Sequence, residues 1–148
     1  MALTRPLGRI MTDLVDELGE TAAFYVREGG RRICLYRCFA SSPIGYHVEE
    51  GAELPMDRGA SAHVLMAFTG GVGQRYDAIR RDGFHVSYGE RNPDANAIAV
   101  PVFGQADVFV GALSITGPAS RLVGATIDAG IEGVRKSAER LSRNLRGR

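Results

Sequence analysis

The sequence predicts an α+β domain: a mainly antiparallel sheet flanked by helices, with the N- and C-terminal helices packed together. Three observations predict it. Amphipathic helices open and close the chain. Between them lie β-rich runs joined by short, turn-forming stretches. Strand and helix do not alternate regularly, as a parallel sheet would require.

The elements follow in order. Leu3, Leu7, Ile10, Leu14 and Leu18 recur at helical steps and make one apolar stripe, with Gly19 placed to stop it. Residues 21–27 and 31–39 are β-rich, and Gly29-Gly30 between them marks a two-residue hairpin. In the second run Ile33, Leu35, Arg37 and Phe39 share one face, and Cys34, Tyr36 and Cys38 the other. Both faces are mostly apolar, so this strand is expected to be covered on both sides. Residues 40–43 read as a loop, 44–48 as a short strand, and 49–53 as polar connection. Residues 58–68 and 74–82 read as helices separated by a glycine-rich break, with Gly83 ending the second. Residues 84–88, 97–103 and 108–116 read as strands, the last two a hairpin through residues 104–107 and closed by Gly117-Pro118. Ile127, Ile131, Val134, Ala138, Leu141 and Leu145 set a long final helix, which Gly124, Gly130 and Gly133 weaken, so its stability must come from packing.

Composition narrows the function. With 148 residues the chain is one domain, 45% hydrophobic and 24% charged, large enough to build a core without staples. A net charge of +1 argues against a surface made to grip nucleic acid. The arginines near the C-terminus are diluted by Glu132 and Glu139 and read as a solvated helix face. Cys34 and Cys38 on one strand would sit about 13 Å apart, too far for a disulfide. Free thiols, no signal peptide and no membrane-length apolar run point to a cytoplasmic protein with no membrane partner.

Several blocks carry a family resemblance. They are GAELPM at residues 51–56, IRRDGF at 79–84, IAVPVF at 98–103 and ALSITGPASRL at 112–122, with LGET at 18–21. In order and spacing, from residue 3 to 145, the set resembles the effector-binding domain of IclR-type transcription regulators. The resemblance implies a GAF-like fold with one pocket, homodimers or tetramers, and a winged helix-turn-helix domain ahead of this one. Nothing precedes Met1, so contact with DNA is expected only through a domain absent from this chain.

The resemblance also implies a site. A small organic acid would be held by backbone amides at Gly59, Ala60 and Ser61, where a helix N-terminus suits a carboxylate. Further contacts fall on Ser87, Ala97, Ser114 and Thr116, with Tyr46 as a wall. Ser114 and Thr116, two apart on a strand, share a face. The chain departs from its relatives at Asp57-Arg58-Gly59, Ala62-His63, Ser87 and Ala97, which implies a different ligand from theirs. Arg58 would grip a carboxylate bidentately or else pair with Asp57.

Other chemistry finds little support. GASAH at residues 59–63 has the outline of a nucleophile elbow but lacks its last glycine, so no enzyme and no catalytic residue is expected. His47, His63 and His85 are scattered, without metal-ligand spacing. GGVG at 70–73 lacks the residues of a phosphate loop, and no cofactor is expected. The alternative to a regulator's sensor is a stand-alone GAF-like binding module that acts on a protein partner.

Overall fold

A computed structural model describes residues 4–40 and 49–147. Helix α1 spans Thr4–Leu18, and the hairpin β1 (Thr21–Glu28) and β2 (Arg31–Cys38) follows. Then come β3 (Glu53–Pro55), α2 (Ala60–Ala67), α3 (Gln74–Asp82) and β4 (His85–Tyr88). The chain closes with β5 (Ala95–Phe103), β6 (Phe109–Pro118) and α4 (Ala125–Arg146). The strands form one sheet in the order β3-β2-β1-β6-β5-β4, each neighbouring pair antiparallel. The expected α+β architecture is present.

The sheet has two covered faces. On one, Phe24, Ile98, Leu113 and Ile115 meet Leu7, Ile10, Met11 and Leu14 of α1 and Val134, Ala138 and Leu141 of α4. The terminal helices pack together there, and Arg140 donates to Asp13 at 2.7 Å across their outer edge. On the other face Ala23, Tyr25, Ala99 and Ala112 meet Ala60, Val64 and Leu65 of α2 and Ile79 of α3. Small residues on this second face leave room above the sheet. This is the candidate ligand side.

The glycines that weaken α4 by propensity are where it packs. A Cβ at Gly130 would lie 2.6 Å from Ile98 Cδ1, and one at Gly133 3.0 Å from Leu18. Close approach replaces helix propensity as the source of order.

The structure corrects the sequence reading at three places. First, Cys34 does not share a face with Tyr36 and Cys38. The ladder pairs Tyr25 with Cys34 but Phe24 with Tyr36, so Leu35 is a bulged, unopposed residue. Cys34 therefore packs on the ligand side, and Tyr36 and Cys38 on the side of the terminal helices. Both thiols are free. Second, Gly117 and Pro118 do not close β6 from outside; they are its last residues, opposite Asn96 and Ala95. Third, β3 lies where only a polar connection was expected, because Glu53–Pro55 borrows its order from β2. The strand expected at residues 44–48 lies outside the described residues, as do Tyr46 and His47. No described helix is long and apolar enough to cross a membrane.

One packing prediction follows from β6. A Cβ on Gly111 would stand 2.5 Å from the Tyr25 carbonyl oxygen and 2.7 Å from the Phe24 ring. Backbone on one side and a buried ring on the other cannot both yield. Gly111→Ala is expected to cost about 1–3 kcal/mol by urea denaturation.

Candidate ligand-binding site

Helix α2 is buried at every position except Met66, so its two polar members, Ser61 and His63, are enclosed with it. It begins at Gly59, whose φ of 101° and closeness to the Arg32 guanidinium leave no room for a side chain. The first intrahelical bond runs from His63 N–H to the Gly59 carbonyl. The earlier amides are left to other partners.

Below this helix start lies a cavity of about 50 Å³, room for a compact molecule. Its floor is the small-residue face of the sheet: Ala95 and Ala97 of β5, and Ser114 and Thr116 of β6. Ser114 is 3% exposed and donates a long bond of 3.4 Å to the Ala23 carbonyl. Gly59, Ala60 and Ser61 form one wall, with Ser87 of β4 beside them. The sheet register puts Ser87 opposite Ala97 and Ala97 opposite Thr116, so a row of short side chains crosses three strands.

Arg58 is the sequence-predicted residue whose side chain the cavity lacks. Its guanidinium pairs with Asp57 at 3.4 Å, and both are well exposed. The Arg58 carbonyl turns inward instead and accepts from Arg32.

Sequence reasoning missed Tyr25, Arg32, Arg91, Asn92 and Ala95, which also line the cavity. Arg32 matters most. It is 3% exposed and reaches the site from β2. It donates to the Pro55 carbonyl at 3.2 Å, the Arg58 carbonyl at 3.2 Å and the Ser61 hydroxyl, and lies 5.0 Å above the Tyr25 ring. Among the described residues no carboxylate forms an ion pair with it. Burial depresses its pKa below the ordinary guanidinium value, yet arginine stays charged in proteins. Burial likewise pushes the Tyr25 phenol up to about 12, so it stays neutral and able to donate. The cavity therefore holds a buried cation whose direct partners are neutral oxygens and a ring. Exposed Arg91 at its rim adds a second.

Glu90, in the loop after β4, reaches over the helix start. Its Oε1 accepts from the Gly59 amide at 2.9 Å and stands 2.8 Å from His63 Nε2. Burial alone would raise the Glu90 carboxyl, but these two bonds hold it below its ordinary value. The Gly59 amide is thus occupied by the chain's own carboxylate. Ser61 and His63 diverge around the helix, one towards Arg32 and the other towards Glu90. The Ser61 hydroxyl accepts from the Arg32 guanidinium.

Residues 71–143 match the family described as bacterial transcriptional regulator IclR C-terminal. The fold is similar over 91% of the chain to a C-terminal domain from Vibrio cholerae, described as a transcriptional regulator's, at 25% identity and a TM-score of 0.82; 93% of that chain is covered. Over residues 71–143 the chain is similar to the IclR family.

IclR structures share the fold at lower identity. The Thermotoga maritima IclR is 18% identical, with a TM-score of 0.86 over 97% of this chain. An IclR-family regulator from Rhodococcus sp. is 21% identical, with a TM-score of 0.85 over 95%. This chain spans 68% of the first and 64% of the second. No curated protein matches the sequence. The IclR match begins at residue 71, so it takes in Ser87, Arg91, Ala97, Ser114 and Thr116 but neither α2 nor Arg32.

Proposed function

We propose that this IclR domain senses a compact organic acid. The acid's carboxylate gives Arg32 the ion-pair partner it lacks among the described residues, and that buried cation is the observation that carries the reading. Leaving a charge buried and unpaired costs several kcal/mol. An anionic ligand removes the cost at the moment it binds. The free amides of Ala60 and Ser61 lie on the same wall and favour the same charge. Ser87, Ser114 and Thr116 then sort acids by where their hydroxyl or carbonyl groups fall.

In the regulator, binding biases how two subunits sit together, as dimer or tetramer, and so how attached DNA-binding domains are spaced. The domain performs no chemistry on the acid, and the protein works in the cytoplasm.

A thermal-shift screen against small aliphatic and aromatic carboxylic acids tests this. A ligand at 100 times its Kd adds about 2.7 kcal/mol, which raises Tm by roughly 5–10 °C. The shift is expected to vanish in Ser114→Leu, which fills the cavity floor. A folded wild type with no shift across the panel counts against the reading. It would favour a module that acts on a protein partner.

A further inference from the structure

The region beside the cavity holds a second cluster. His63 of α2, His85 of β4 and Glu90 of the following loop each bring one ligating atom within 4.8 Å of the others. The imidazoles meet edge to face, 5.1 Å between centroids. We propose that His63, His85 and Glu90 form a site for one divalent transition-metal ion of the zinc class.

The donor set suits that class. Two imidazoles and one carboxylate, with a position left for water, form a common catalytic or regulatory zinc sphere. Around a tetrahedral ion the donor atoms stand about 3.3 Å apart, so the cluster must close by roughly an ångström. His63 is 1% exposed on a buried helix, and Glu90 Oε1 already stands 2.8 Å from its Nε2, so the remaining adjustment is between His85 and the other two. Coordination at His63 Nε2 replaces its hydrogen bond with Glu90, and the neutral ring then carries its proton on Nδ1.

The groups around the cluster are consistent with a gated site. Arg75 Nη1 lies 3.4 Å from both ring nitrogens of His63. This exposed cation from α3 stands where the ion's charge would be felt, and it must swing towards solvent on binding. Tyr76 packs behind, 6.3 Å from the His63 ring.

The site also has a consequence for the cavity. Glu90 is followed directly by Arg91 and Asn92, which line it. An ion that pins Glu90 pins their loop. Coupling between metal and acid would then be reciprocal. That coupling rests on the acid-binding reading; the metal site does not.

Cobalt(II) is the probe, added to the chelator-treated chain. The wild type is expected to bind one equivalent with the visible absorption of a four- or five-coordinate ion, and zinc is expected to displace it. Losing an outer-shell partner already weakens metal sites by about 10–100-fold. His85→Asn and Glu90→Gln are therefore each expected to weaken binding by at least about tenfold, with unchanged circular dichroism. Should His85→Asn fail to fold, Glu90→Gln decides, since that side chain is part-exposed on a loop. No visible band, wild-type affinity in Glu90→Gln, or thiolate charge-transfer absorption from Cys34 or Cys38 would each overturn the proposal. None of these outcomes depends on whether an acid binds.

Discussion

Arg32→Met is expected to remove acid binding while leaving the ligand-free domain folded. Truncating one member of a buried charge pair costs about 2–5 kcal/mol of affinity, at least about thirtyfold in Kd. Without ligand the balance is different. The substitution removes the cost of a buried, unpaired cation. It also takes donors from the Pro55 and Arg58 carbonyls and the Ser61 hydroxyl, each worth about 1 kcal/mol. The opposing effects leave Tm within roughly 5 °C of wild type. Calorimetry with the best acid from the screen, beside a thermal melt of the free protein, reads both quantities. Wild-type affinity in Arg32→Met would move the anion anchor to the helix amides or Arg91. An unfolded variant would make Arg32 a structural residue and remove the main support for an acid.

Phe24→Ala carries the largest expected stability loss. Phe24 is wholly buried where β1 faces the terminal helices, and its ring closes over Gly111. Deleting such a ring costs about 3–5 kcal/mol, about 10–20 °C in Tm for a domain of this size. Equilibrium urea unfolding checks it, with the slope unchanged if the native fold is retained. A loss below about 1 kcal/mol would mean that the sheet does not rest on that ring. Because Phe24 is what a Gly111 methyl strikes, Phe24→Ala should soften Gly111→Ala, a coupling of about 0.5–3 kcal/mol.

Much of the fold was legible because its signals are local. Helical steps marked α1 and α4, and glycines marked the ends of α1 and α3 and the β1–β2 turn. The bulge at Leu35 had no mark: an extra residue in a ladder shows only when the partner strand is known. The site was legible where a family pattern or a strand spacing spoke for it, as with Ser61, Ser87, Ser114 and Thr116. Arg32 was not, because a charged residue beside another arginine and a tight turn reads as solvent-facing. Partners distant in sequence enclose it: the Pro55 and Arg58 carbonyls, the Ser61 hydroxyl and the Tyr25 ring. The His63–His85–Glu90 cluster escaped for a related reason. Its members come from a helix, a strand and a loop, and short ligand-spacing rules see one element at a time.

The unopposed residue in β2 also decides which length changes the strand can bear. Removing Leu35 would restore a regular ladder, with Cys34 still opposite Tyr25 and Tyr36 still opposite Phe24. Every remaining side chain would keep its side. Removing Ile33 with the Tyr25–Cys34 pair held would instead set Arg32 opposite Val26 and carry it across the sheet, away from the cavity. An in-frame deletion of codon 35 is thus expected to keep Arg32 on the cavity side of the sheet, and one two codons earlier to move it off.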